Sequence, residues 1–152
     1  ISPRWFRYIM NYWPPFFGAG ISVRSISPDF NNIRVQLKSR FLSQNYVGTQ
    51  FGGSMFAMTD PFYMLILIKN LGRDYIVWDK AARIDYLIPG RGQLEAYFTI
   101  TPDEMTEIKR KADELDKYVF DKTVVIKNAA GENVASVVKT LYVKRKQRDK
   151  KS

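Results

Sequence analysis

The segment from Ser54 to Leu71 constrains this chain more than any other. It reads Ser-Met-Phe-Ala-Met-Thr-Asp-Pro-Phe-Tyr-Met-Leu-Ile-Leu-Ile-Lys-Asn-Leu and lies between Gly52-Gly53 and Gly72. Its apolar residues do not keep to one stripe, so a helix made from it must be covered on most sides. It is not a membrane span. The longest unbroken apolar run, Phe62 to Ile68, falls far short of the ~20 residues a span needs. The cover must therefore come from the rest of the chain.

The rest of the chain is mostly strand-like. Ile21–Ile26 and Ile33–Lys38 alternate apolar and polar residues around the turn signals Pro28-Asp29-Phe30-Asn31-Asn32. Tyr75–Ile88 and Gln93–Ile100 flank Pro89-Gly90-Arg91-Gly92. Lys117–Lys127 and Val134–Lys144 flank Asn128-Ala129-Ala130-Gly131-Glu132. Such short connections join antiparallel strands. Thr101-Pro102-Asp103-Glu104 is a helix start, with Thr as N-cap, Pro at N1 and Glu closing a capping box, and this helix runs to about Leu115. At the N-terminus Pro3–Trp13 predicts a short amphipathic helix, ended by Pro14-Pro15 and followed by a loop through Gly18 and Gly20. The expected architecture is α+β, an antiparallel sheet of about six strands wrapped around one long helix kinked at Pro61.

Two absences narrow the chemistry. The chain has no His and no Cys. This excludes a Ser-His-Asp triad, a Cys nucleophile, a disulfide framework and thiolate or imidazole metal sites. Acid–base work falls to Asp, Glu, Lys or Tyr. The acidic residues of 103–116 are interspersed with Lys109, Arg110 and Lys111, as on a solvated helix face, and do not predict a metal site.

Asp60 stands out because it is a carboxylate in the apolar segment. Buried there, it would have its pKa raised by desolvation and could serve as a general base near neutrality. Equally, Asp60 could be an N-cap, with Pro61 at N1 of a new helix. Just upstream, Gly52-Gly53 opens the segment, and the first N–H groups of a helix have no acceptor within it. Those donors could hold a carbonyl oxygen that is gaining negative charge. The plainer reading is a glycine-rich turn entering a helix. No P-loop pattern is present.

The string Asn45, Gly48, Thr49, Phe51, Gly52, Gly53, with Asp60 seven residues on, resembles the central-helix signature of PaaI-like acyl-CoA thioesterases of the hot-dog fold. Ala82-Arg83-Ile84-Asp85-Tyr86-Leu87-Ile88-Pro89-Gly90 is similar to that family's next strand and proline turn. Over roughly Gly18 to Lys144 the chain resembles the branch grouped with the YiiD C-terminal domain. The resemblance implies a homodimer, often paired again into a dimer of dimers, with active sites at the dimer interface. It puts the catalytic carboxylate on Asp60, a carbonyl-polarising backbone amide on Gly52, and an orienting side-chain amide on Asn45. It leaves Thr49, Phe51 and Gly53 against the substrate and Asp79 in an assisting role. Lys80, Arg83 and Arg91 are candidates for the phosphates of coenzyme A, which would enter as part of the substrate; no separate cofactor is expected. The family usually has His where this chain has Phe51, so a non-catalytic acyl-CoA or lipid binder is the alternative.

The basic charge is uneven. The net charge is +9, and Lys144–Ser152 alone holds six basic residues and one acid. We expect one domain over residues 1–143 and a disordered basic tail over 144–152. A nucleic-acid or membrane-surface module is a weaker reading, because aromatic and basic residues do not interleave as a base-stacking platform requires. With neither a span nor a signal-peptide pattern, a cytoplasmic location is expected.

Overall fold

The computed structural model describes residues 1–39 and 48–147. The element order is α1 (Pro3–Tyr12), α2 (Pro14–Ala19), β1 (Ile21–Ile26), β2 (Asn32–Leu37), α3 (Gly52–Ala57), α4 (Phe62–Leu71), β3 (Tyr75–Tyr86), β4 (Leu94–Thr99), α5 (Pro102–Glu114), β5 (Tyr118–Asn128) and β6 (Asn133–Arg145). The six strands form one sheet in the order β1-β2-β4-β5-β6-β3, and every pairing is antiparallel. This is the expected α+β arrangement. The edge strands are therefore β1 and β3.

The apolar segment packs on one face of the sheet. Phe62, Tyr63, Ile66, Leu67 and Leu71 are buried on α4, at helical spacing. The Phe62 and Tyr63 rings each lie 5.1 Å from Phe98 of β4, and Phe16 of α2 closes on Phe62 at 5.8 Å. Tyr63 also donates its hydroxyl to the Thr123 carbonyl at 3.0 Å, across the sheet. Along β6 the residues Ala135, Val137, Lys139, Leu141 and Val143 all face inward, following the period of two. α5 begins with the predicted capping box at Thr101 and Glu104 and buries Ile108 and Ala112 one turn apart.

Four expectations are corrected. The long helix is two helices, because Pro61 has no N–H to continue the ladder and the residue before a proline is held out of helical geometry. The Asp60–Pro61 bond is cis. Asp60 is not an N-cap; that position of α4 is Pro61, without a side-chain cap. Pro14-Pro15 does not open a loop but starts α2, since proline is well placed at the first helical positions. Finally, β6 continues through Arg145. Lys144 and Arg145, expected in the tail, are strand residues paired with Asp116 and Asp113 at 3.5 and 3.3 Å.

The two sheet edges differ. α1 lies against β1, where Asn11 accepts from the Val23 N–H at 2.6 Å and donates to its carbonyl at 3.2 Å. Arg7 donates to the Arg24 carbonyl at 2.9 Å. Among the described residues nothing pairs with the outer edge of β3. Lys80 to Arg83, in mid-strand, are exposed at four successive positions, so both faces of β3 are open there.

Candidate active site

Two groups of side chains lie along β3, one at its C-terminal end and one near its middle. The first is a groove of about 450 Å³ between the start of α3 and the turn after β3. Thr49, Gln50, Gly52, Met55, Tyr86 and Arg91 are among its lining residues, with the apolar Leu87 and Ile88. Gln50 fastens the two sides together. Its backbone N–H donates to the Gly90 carbonyl at 2.8 Å, and its side-chain amide donates to Gly92 and Lys38 carbonyls at 2.9 and 3.2 Å. Tyr86 donates to the Gly52 carbonyl at 3.0 Å. A Cβ on Gly52 would stand 2.9 Å from that hydroxyl, so the Tyr86 hydroxyl reaches this carbonyl only beside a glycine and would have to move aside for a larger residue. Gly52 and Gly53 are the first residues of α3, where N–H groups have no acceptor within the helix.

The second group is ionic. Lys139, only 3% exposed at its side chain, lies 3.1 Å from Asp60 Oδ1 and 3.0 Å from Asp79 Oδ2. Burying an ammonium requires such partners. The Asp60 side chain is 56% exposed, whereas that of Asp79 is 18% exposed. Burial pushes the Asp79 carboxyl above the usual carboxylate range; Lys139 opposes that shift and Asp60 adds to it. The desolvated carboxylate expected at Asp60 is thus found at Asp79, because Asp60 sits in the turn between α3 and α4 with more than half of its side chain exposed.

The remaining predicted residues are distributed as follows. Thr49 is buried at the groove, and Gly53 packs against the Phe51 ring, which is itself exposed. Of the three phosphate candidates, Arg91 lines the groove. Lys80 lies at a register shift of β3, and Arg83 is bonded to Asp85 at 3.0 Å; both are exposed on the open edge. Asn45 lies outside the described residues. Sequence reasoning missed Lys139, Gln50 and Tyr86. Lys139 had a signal, a cation in phase with Val137, Leu141 and Val143 on the inward face of a strand. Among the described residues no three His, Cys, Asp or Glu side chains converge to hold a metal, and no helix is long and apolar enough to cross a membrane.

Residues 3–143 match the family model of a domain of unknown function, DUF4442. No curated protein matches the chain. Solved structures do. PA5026 of Pseudomonas aeruginosa, a protein of unknown function described as a probable thioesterase, superposes with a TM-score of 0.83 at 13% identity, over 96% of this chain and 97% of that one. The thioesterase HI1161 of Haemophilus influenzae gives 0.70 at 13% identity, over 99% and 95%. PaaI of E. coli, from the phenylacetic acid degradation operon, gives 0.61 at 17% identity, over 94% and 93%. At these identities the likeness shows the fold, which is the hot-dog fold.

Proposed function

We propose that this chain, which belongs to the DUF4442 family and has the hot-dog fold, hydrolyses an acyl thioester at a site shared by two copies. The observation that carries this reading is an exposed carboxylate, Asp60, held by a buried lysine beside the middle of β3, while an apolar groove with a glycine helix start lies at the C-terminal end of that strand. An open sheet edge invites pairing with another strand. If two β3 strands pair antiparallel about a centre between Ala82 and Arg83, Asp79 of one copy falls opposite Tyr86 of the second. Asp60 of the first copy then approaches the Gly52 groove of the second. The thioester carbonyl would accept from the Gly52 and Gly53 N–H groups, which stabilise charge developing on oxygen. Asp60 would take a proton from a water that attacks the carbonyl carbon, and the C–S bond would then break with the thiolate leaving and accepting that proton. Alternatively Asp60 itself would attack and expel the thiolate, giving an anhydride that water cleaves to the free acid and the Asp60 carboxylate. Lys139 fixes the Asp60 carboxylate, and Met55, Leu87 and Ile88 supply apolar surface for the acyl group. Arg91 is the cation best placed for the phosphates of a coenzyme A carrier. Asn45 and Thr49 would orient carbonyl or water.

The test is thiol release from short, long and aromatic acyl-CoAs by wild type and Asp60→Asn. We expect a loss on the order of 10²-fold or more in the variant, the size of a general-base contribution. Equal rates would remove Asp60 from the mechanism. Phe51, an exposed ring where the resembled family has His, favours a second reading, an acyl-CoA binder without turnover. Binding of a non-hydrolysable acyl-CoA analogue with no thiol release from any substrate would establish it.

A further inference from the structure

We propose that the outer face of α1 and α2 docks onto an anionic lipid surface. The inner face of α1 is used within the fold, since Met10 is buried, Phe6 packs on the core and Asn11 holds β1. The outer face is aromatic. Trp5 and Tyr12 are each 63% exposed, and Tyr8, Trp13 and Phe17 are also exposed. The rings form a continuous run, with Trp5 to Tyr8 at 5.7 Å, Tyr8 to Tyr12 at 4.7 Å and Tyr12 to Phe17 stacked at 6.3 Å. Positions 5, 8, 9 and 12 share one side of a helix. Tryptophan and tyrosine combine an apolar body with a polar edge, which suits the boundary between lipid headgroups and acyl chains. An amphipathic helix carrying aromatic and cationic residues lies in that plane.

The charge around this stripe selects the partner. Residues 1–28 contain Arg4, Arg7 and Arg24 and no acidic residue. Beside the stripe a groove of about 220 Å³ is lined by Tyr12, Phe17, Ser22, Arg24 and Lys38, among others. On the other side Arg4 lines a shallow trough with Ser2, Trp5 and Tyr8. No carboxylate lines either depression. In a two-fold contact the same patch lies on both sides, and neither copy's depressions bring a carboxylate to these cations. An anionic headgroup layer supplies a counter-charge over the whole patch.

The experiment is vesicle co-sedimentation of the full chain, with tryptophan emission recorded in a Trp78→Phe background so that Trp5 and Trp13 report. Phosphatidylcholine vesicles carrying phosphatidylglycerol are compared with phosphatidylcholine alone. We expect salt-sensitive binding to the anionic vesicles, with a blue shift in emission. The exposed-site variants Trp5→Ser/Tyr12→Ser and Arg24→Glu should each weaken binding by about tenfold or more. An Arg148→Gln/Lys150→Gln/Lys151→Gln variant should keep most of it. The proposal falls if neither vesicle is bound. It falls if the tail variant, and not the patch variants, abolishes binding. It also falls if sedimentation equilibrium finds a self-association that the Trp5→Ser/Tyr12→Ser variant removes while vesicle binding is unchanged, which would assign the patch to a second copy.

Discussion

Lys139 is the residue on which the ionic group depends, because it is the buried cation between two carboxylates. Replacing it by Met leaves Asp79 partly buried without its counter-charge, and breaking a buried pair in this way costs about 3–5 kcal/mol. Urea unfolding of Lys139→Met should show that loss, and adding Asp79→Asn in the same chain should recover part of it. The direction of the Asp79 shift gives a pH signature. The native carboxyl holds its proton more tightly than the unfolded one, whose value is near 3.8. Its contribution to stability is therefore complete below that pH and is lost as pH rises through the raised native value. Asp79→Asn should flatten this part of the stability–pH curve. At this scale the sequence was partly legible. Asp60 was conspicuous as a carboxylate in an apolar run, but its exposure depends on the helix interruption at Pro61. Asp79 lies in an ordinary alternating strand, and only the tertiary placement of Lys139 across the β3–β6 pair makes it special.

Among elements, the junction of α3 with the turn after β3 shapes the groove. Gly52→Ala would put a methyl group against the Tyr86 hydroxyl. Tyr86 is exposed and can swing away, so we expect little change in melting temperature but loss of thioester turnover, checked by calorimetry beside the thiol-release assay. Gln50→Ala removes the side-chain donor to the Gly92 and Lys38 carbonyls and should cost about 1–3 kcal/mol in denaturant unfolding. The elements themselves could largely be read in advance. Period-two alternation and Gly, Pro and Asn turns placed all six strands nearly to their observed ends, and the capping box placed α5. Two helix boundaries turn on proline, which stops a helix arriving from its N-terminal side and equally starts the next. Pro14-Pro15 concealed α2, and Pro61 allowed either a kink or a new helix, of which the structure has the second.

At the scale of the whole molecule, the open β3 edge predicts the pairing. With a two-fold centre between Ala82 and Arg83, Ala82 of one copy faces Arg83 of the other. Ala82→Arg then places like charges opposite one another twice and should prevent the proposed dimer from forming, whereas Ala82→Glu should allow it. Sedimentation equilibrium distinguishes these outcomes. The other edge is different, because Asn11 already occupies both backbone groups of Val23 there. A β-sheet with two free edges is a bifunctional monomer, and its additions can propagate without limit. With one edge occupied by its own N-terminal helix, this chain has a valence of one, so the strand-to-strand pairing proposed for β3 would end at two copies. Asn11 would in that sense be a chain terminator, and a protease that cut α1 away would free a second edge for the same pairing.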